Sequence, residues 1–237
     1  IDSFQRPIDY LRVSVTDRCD LRCTYCLPKG FKGFEEPAHW LRHDEMTRLV
    51  GLFVGLGVSK VRLTGGEPLL RRGVSDLARQ LTGLKGLRDL SVSSNGTQLA
   101  RHAADLREAG VHRLNISLDS LDPACFAHIT GRDCLADVLE GLRVARAVGF
   151  SPIKLNMVVQ ADVNVAEVSR MVAFAIEHEF VLRLIEPMPV GATGRATQGI
   201  DLSRLGEQLA EQHGLVPQVL GQGAGPARYW CTADHRM

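Results

Sequence analysis

The sequence has 237 residues, 45% hydrophobic and 23% charged, the balance of an ordinary globular chain with enough apolar material for a sizeable core. A formal net charge of +1 argues against a general nucleic-acid or membrane surface, so electrostatic selectivity has to be local. The longest strongly apolar run, 49–58 (LVGLFVGLGV), is too short to span a bilayer and contains three glycines. No secretory signal opens the sequence, so a cytoplasmic, reducing setting is expected, where clustered thiols act as metal ligands or redox groups. Ile1 at the start, and a tail GPARYWCTADHRM without a helix stop, read as a trimmed product.

The first predicted strand is 10–16 (YLRVSVT), and it runs directly into TDRCDLRCTYC at 16–26. A helix, DEMTRLVGLFVGLG, is expected after His43, with Asp44 as its N-cap. A second strand, 60–65 (KVRLTG), leads through TGGEP into the helix VSDLARQLTGL. The third strand, 90–96 (LSVSSNG), is followed by the helix LARHAADLREAG, and the fourth, 113–119 (RLNISLD), by CLADVLEGLRVARAVG. After the fifth strand, 153–159 (IKLNMVV), comes the helix VAEVSRMVAFAIEHE, with Asn164 as a candidate cap. The sixth strand, 182–188 (LRLIEPM), precedes a helix at 201–214. Strands alternating with helices of this length predict an α/β fold built from right-handed crossovers and a parallel sheet.

Alternate strand residues point to opposite faces. One parity carries Arg12, Ser14, Thr16, Lys60, Arg62, Thr64, Ser91, Ser93, Asn95, Asn115, Ser117, Asp119, Lys154 and Asn156. The other is apolar, from Leu11 and Val13 through Val61, Leu63, Leu90, Val92, Leu114, Ile116 and Leu118 to Leu155 and Met157. The helices should cover the apolar face, turning the polar one into the hollow of a curved sheet or barrel. That hollow would set Arg12, Lys60, Arg62 and Lys154 against Asp119 alone, which calls for an anionic ligand or much water. An open antiparallel sheet with a solvated polar face is the alternative.

Cys19, Cys23 and Cys26 are spaced C-x3-C-x2-C, with no fourth cysteine nearby. Three thiolates can hold three irons of a cubane cluster and leave the fourth iron open to a non-protein ligand. A zinc site would need a fourth ligand such as His39 or His43, across a Gly/Pro-rich loop. Three cysteines grouped by chance would suit an apolar segment better than one interleaved with Arg18, Arg22 and Tyr25. In TGGEP (64–68) the glycines permit close backbone approach to a ligand and offer N–H groups, and Glu67 supplies an anion.

This cysteine motif, with an aromatic before its third cysteine and TGGEP one βα unit later, resembles the signature of radical S-adenosylmethionine enzymes. YLRVSVTDRCDLRCTYC, VRLTGGEPLLRR, SSNG, LNISLDSLDPACFAHITGRD, IKLNMVVQADVN and LRLIEPMPVG resemble, in order, blocks of the GTP 3′,8-cyclase family of molybdenum-cofactor biosynthesis. The resemblance runs from DSFQRP at residue 2 to GPARYW at 225–230. It implies a partial (βα)6 TIM-type barrel over residues 1–200 and the start of a C-terminal extension at 201–237. It also implies a [4Fe–4S] cluster on Cys19, Cys23 and Cys26. S-adenosylmethionine contacts would come from Tyr25, Gly66, Ser117 and Met188, and GTP contacts from Arg12, Arg62, Ser93 and Lys154. Lys60 and Arg183 would help around the phosphates.

The implied reaction is removal of the ribose 3′ hydrogen of GTP by a 5′-deoxyadenosyl radical, then bonding of C3′ to guanine C8, with no acid–base side chain required. The family's second [4Fe–4S] cluster would need a C-terminal segment that the sequence, ending at Met237, does not include. An electron donor and a homodimer are further expectations. Another radical enzyme with a different substrate, or a non-catalytic companion module, are the alternatives. Cys125 and Cys134 read as reduced thiols in helical segments, Cys231 as a stray thiol, and His112 and His128 as structural, while the role of Glu186 is left open.

Overall fold

The computed structural model describes residues 8–26, 30–31, 34, 40–218 and 227–233. His39 and the outer ends of the terminal motifs lie outside the described residues. Six strands, β1 (Tyr10–Ser14), β2 (Lys60–Thr64), β3 (Asp89–Ser94), β4 (Arg113–Ser117), β5 (Ile153–Val158) and β6 (Val181–Ile185), form one sheet in the order β1-β2-β3-β4-β5-β6. The pairs β1–β2, β2–β3, β3–β4 and β5–β6 are all parallel, which overturns the antiparallel alternative. The α/β order with a parallel sheet read from the alternation is the observed one, and it is the partial TIM-type order that the resemblance implies. Two compact units make up the chain: Ile1–Arg22, Gly30–Ser117 and Cys134–Ile153 form one, and Cys23–Lys29, Leu118–Asp133 and Lys154–Met237 the other. Among the described residues no helix is long and apolar enough to cross a membrane.

In the first unit the helices are α1 (His43–Gly55), α2 (Val74–Thr82) and α3 (Leu99–Glu108). Val61, Leu63, Leu90, Val92, Leu114 and Ile116 are fully buried, as are Leu77 and Leu81 of α2 and Leu99 and Leu106 of α3. This is the apolar parity of the strands. The α1 helix starts two residues before the sequence reading: Arg42 is its N-cap, and the Glu45 carboxylate accepts the Arg42 N–H at 2.8 Å. Asp44, the expected cap, lies in the first turn and accepts from the Arg42 guanidinium instead. A glutamate three residues on can satisfy an orphan N–H that a side chain inside the turn cannot reach.

The second unit holds α4 (Pro123–Thr130), and the α5 helix (Leu135–Ala147) belongs to the first. The α4 helix was not predicted as an element of its own, although Asp122 before Pro123 is a start signal: the Asp122 carboxylate accepts the Cys125 N–H at 2.8 Å, and Gly131 at φ 75 ends the helix. The second unit continues with α6 (Val168–Glu177), α7 (Gly191–Ala196) and α8 (Leu202–His213). Asp201 caps α8, and Ser169 of α6 meets His213 of α8 at 2.9 Å. Asn164 stands before the turn into α6 but does not cap it with its side chain. It is fully buried, accepts the Gln160 N–H at 2.8 Å and donates to the Asp119 and Val158 carbonyls at 2.8 and 3.0 Å, closing the loop after β5. An unpredicted antiparallel hairpin, β7 (Val216–Gln218) and β8 (Tyr229–Cys231), follows α8. Cys231 is 2% exposed within it, a core residue of the hairpin rather than a stray thiol. No disulfide joins any of the six cysteines.

The loop that carries Cys19 is built against the turn after β2. The Gly66 N–H donates to the Thr16 carbonyl and the Glu67 N–H to the Arg18 carbonyl, both at 2.7 Å. A Cβ on Gly66 would overlap the Asp17 and Arg18 carbonyl oxygens, so only glycine allows this approach. Arg71 donates from its guanidinium to the Val15 carbonyl at 2.8 Å. The expectation that the glycine N–H and Glu67 wait for a ligand is thereby corrected. The Gly66 N–H serves the cysteine loop, and Glu67 is fully buried. Its carboxylate accepts from Leu69 N–H at 2.9 Å, Ser94 hydroxyl at 2.9 Å and Asn95 N–H at 2.6 Å.

Burial raises the Glu67 pKa from 4.5 to about 7 against the pull of those donors. A carboxyl whose folded pKa lies above its unfolded one binds more protons in the folded state, so its contribution is favourable in acid and is lost as pH rises through that window. The difference in unfolding free energy between wild type and Glu67→Gln is therefore expected to fall between pH about 4.5 and about 7 and level off above it, measured by urea unfolding at several pH values.

Candidate functional site

Cys19, in the first unit, is half-buried, and its sulfur accepts from the Leu21 N–H at 3.4 Å and from the Asn95 side-chain amide at 3.8 Å. Burial pushes its thiol pKa up, the backbone donor opposing. Arg22 ties the loop down, donating to the Cys19 and Leu21 carbonyls at 2.8 Å and to the Phe31 carbonyl at 3.3 Å, with its guanidinium 4.6 Å from the Phe34 ring. In the second unit Cys23 and Cys26 close one turn, the Cys26 N–H donating to the Cys23 carbonyl at 2.9 Å. The Thr24 N–H donates to the Ile129 carbonyl near the end of α4, also at 2.9 Å.

Among the described residues no three His, Cys, Asp or Glu side chains are grouped where one metal ion would be held. A cubane sets a different requirement, because each thiolate binds its own iron and the sulfurs need not converge on one atom. Three thiols within eight residues are the donor chemistry that such a cluster takes, and the Cys19 sulfur already accepts from two N–H groups. His43, the rival ligand, is the first residue of α1 and stands beside Gly73.

Tyr25 is held through its hydroxyl, which donates to the Asp119 carboxylate at 2.7 Å. Asp119 is 3% exposed and also accepts the Val158 N–H at 2.7 Å. Burial raises its pKa to about 6 and, with the adjacent carboxylate, pushes the Tyr25 phenol well above its usual value. The expectation that Asp119 is the lone counter-charge for the cations of the hollow does not stand, since its two oxygens face Tyr25 and the β5 backbone. The polar face carries a second carboxylate, Asp89, which is paired with Arg113.

The polar parity is graded across the first unit. Arg12 is exposed on β1, at the end of the strand order, whereas Ser91 and Asn115 are 1% and 2% exposed. Arg12 and Arg62 are register partners, and Arg62 is in register with Ser91, its Nε 3.5 Å from the serine hydroxyl. The Arg62 guanidinium also lies 5.4 Å from the centre of the Tyr10 ring. Ser93 is half-buried, in register with Asn115. Lys60 is exposed and donates to Asp9 at 2.9 Å, so it stands paired at the rim and not in an enclosed hollow. Among the described residues β1 is paired on one side alone, which leaves its Arg12 exposed.

Of the remaining predicted contacts, half-buried Ser117 ends β4. In the second unit, Lys154 is half-buried on β5, Asn156 is in register with Arg183, and Met188 is 74% exposed beyond β6. A cleft of about 450 Å³ in that unit is lined by Thr24, His128, Gln160, Asp162 and Thr197 among others, and by none of the residues assigned to either ligand. His112 is structural: its Nδ1 accepts the Leu90 N–H at 3.1 Å.

Sequence reasoning missed Asn95, Asp20 and Thr97 as a group. The Asn95 amide donates to Asp20 at 2.7 Å, and the Thr97 hydroxyl donates to the other Asp20 oxygen at 2.7 Å. Parity put Asn95 on the polar face, but no spacing rule joins it to a cysteine 76 positions away.

Residues 13–175 match the family model of the radical SAM superfamily. The chain is 44% identical over 237 residues to the GTP 3′,8-cyclase of Pseudomonas fluorescens (strain Pf0-1), covering 99% of this chain and 71% of that protein. It is 46% identical to a GTP 3′,8-cyclase of Pseudomonas putida, covering 99% and 70%. Among solved structures, Streptococcus suis SuiB bound to S-adenosylmethionine superposes with a TM-score of 0.69 at 19% identity, over 86% of this chain and 46% of that one, a likeness of fold. The cysteine loop, the strand order and these matches together place the chain in the GTP 3′,8-cyclase family of the radical SAM superfamily.

Proposed function

We propose that this chain binds GTP and S-adenosylmethionine and converts GTP to (8S)-3′,8-cyclo-7,8-dihydroguanosine 5′-triphosphate, an early step of molybdopterin formation. The observation that carries the reading is the Cys19 loop, sewn by the Gly66 and Glu67 N–H groups onto the turn after β2. Cys19, Cys23 and Cys26 would hold three irons of a [4Fe–4S] cluster. When bound, the cluster and S-adenosylmethionine would supply a 5′-deoxyadenosyl radical able to take the ribose 3′ hydrogen; closing the C3′–C8 bond would then leave a radical on guanine, which needs one electron from the donor and a proton to give the dihydro product.

The protein's part is binding, orientation and exclusion of quenchers. Gly66, with its N–H committed to Thr16, offers S-adenosylmethionine its carbonyl and a bare Cα. Tyr25, with its hydroxyl on Asp119, offers its ring and backbone. Ser117 and the exposed Met188 complete that set. For GTP, Arg12 and Arg62 are register partners on neighbouring strands of the same polar parity, and guanidinium groups are suited to donating to a triphosphate. Ser93 and Lys154 join them, with Arg183 nearby in function. Lys60 can help because an exposed ion pair such as its bond to Asp9 is weakly held. An electron donor, a homodimer, a cytoplasmic setting suited to exposed thiols, and a barrel segment 1–200 followed by an extension belong to the same reading.

The test is anaerobic reconstitution with iron and sulfide, then reductant and S-adenosylmethionine with and without GTP. Deoxyadenosine release stimulated by GTP is expected, and release indifferent to GTP points to another substrate. Cys23→Ala is expected to abolish cluster absorbance. Lys154→Ala keeps the cluster and weakens GTP binding by roughly tenfold or more, the loss of a charged hydrogen bond of ~1.5–3 kcal/mol; equal titration curves would remove Lys154 from the site. Gly66→Ala forces the Asp17–Arg18 backbone away from the turn, and iron content per chain should drop well below wild type.

A further inference from the structure

The Asn95 side chain sits where three different partners meet. Its Nδ2 donates to Asp20 Oδ1 at 2.7 Å and lies 3.8 Å from the Cys19 sulfur, and its Oδ1 accepts the Thr97 N–H at 3.0 Å. That pattern fixes the amide orientation, because the reverse would set an oxygen against a carboxylate and an NH2 group against an N–H. The backbone of Asn95 is pinned as well, its N–H donating to the buried Glu67 carboxylate at 2.6 Å. Asp20, the residue after Cys19, is held on its other oxygen by the Thr97 hydroxyl at 2.7 Å. A primary amide satisfies all of this at once: two hydrogens, one for a carboxylate and one for a sulfur, and an oxygen for a backbone N–H.

We propose that Asn95 is a positioning residue for the cluster, aiming the Cys19 thiolate with an N–H···S hydrogen bond and raising the cluster's reduction potential through it. The inference rests on Cys19 being a cluster ligand. Adding an electron to a [4Fe–4S] cluster increases the negative charge on its thiolate sulfurs, so a donor to one of them stabilises the reduced form more than the oxidised one. The Leu21 N–H reaches the same sulfur from the backbone at 3.4 Å and stays in place when Asn95 changes. Asn95 thus adds a side-chain adjustment to a backbone bond that the loop supplies on its own. The Glu67 contact connects the turn after β2, the tail of β3 and the first cysteine into one hydrogen-bonded line.

The experiment is an EPR-monitored redox titration of the reconstituted 237-residue chain, with iron content and circular-dichroism melting measured alongside. Asn95→Ala is expected to bind iron and to show a lower midpoint potential than wild type. Asn95→Asp keeps the acceptor for the Thr97 N–H, removes the donor to sulfur and should lower the potential further; it gives the reading if the alanine variant does not fold. Thr97→Val loosens Asp20 without removing the amide from the sulfur, and its shift should be the smallest of the three. A folded Asn95→Ala or Asn95→Asp chain with wild-type iron, spectrum and potential overturns the proposal and leaves the cluster assignment standing. A wild-type chain that takes up no iron overturns the cluster assignment and this inference with it.

Discussion

Two backbone hydrogen bonds, from Gly66 N–H to the Thr16 carbonyl and from Glu67 N–H to the Arg18 carbonyl, govern the geometry of the site. They join a loop after the first strand to a turn after the second, and they exist only because no side chain at Gly66 intervenes between the two backbones. Burying Glu67 beneath that joint would be unfavourable for an isolated carboxylate. Its three donors, from Leu69, Ser94 and Asn95, make it tolerable and turn it into the point where the second and third strand ends meet the loop. The chemistry proposed for the chain asks little of its side chains as acids or bases. It asks that a few groups be held still, and the buried polar contacts around Glu67 in one unit and Asp119 in the other do that holding.

The strands were legible because their signal is local. Each run alternates polar and apolar residues, and the fully buried positions of β2, β3 and β4 are those the alternation assigned to the covered face. Glycine-rich connections and helix periodicity supplied the rest of the α/β order. The candidate site was legible through the spacing of Cys19, Cys23 and Cys26, three thiols within one loop, with TGGEP one βα unit later. The same spacing gave no information about what surrounds them.

What could not be read depended on distant partners. Glu67 reads as an available anion until the loop from 16 to 18 is laid over it. Asp119 reads as a counter-ion until the Tyr25 hydroxyl and the Val158 N–H are seen on its oxygens. Asn164 has the residue type of a helix cap, yet a loop that folds back on itself offers it three backbone partners, and those win. Lys60 shares the parity of the inner cations, but its strand neighbours the edge strand, where Asp9 reaches it. In each instance the residue type was right for its chemistry and the partner was set by tertiary structure.

The stitched loop also bears on how a metal would be acquired. Many small metal-binding domains order their chain only as the ion arrives, so that assembly and folding are a single event. Here the segment around Cys19 is fastened by hydrogen bonds of the protein's own groups, from Gly66, Glu67, Arg22 and Arg71. Those bonds hold the backbone of the first cysteine without calling on its sulfur, so part of the entropy of ordering that loop is offset by contacts the protein makes within itself.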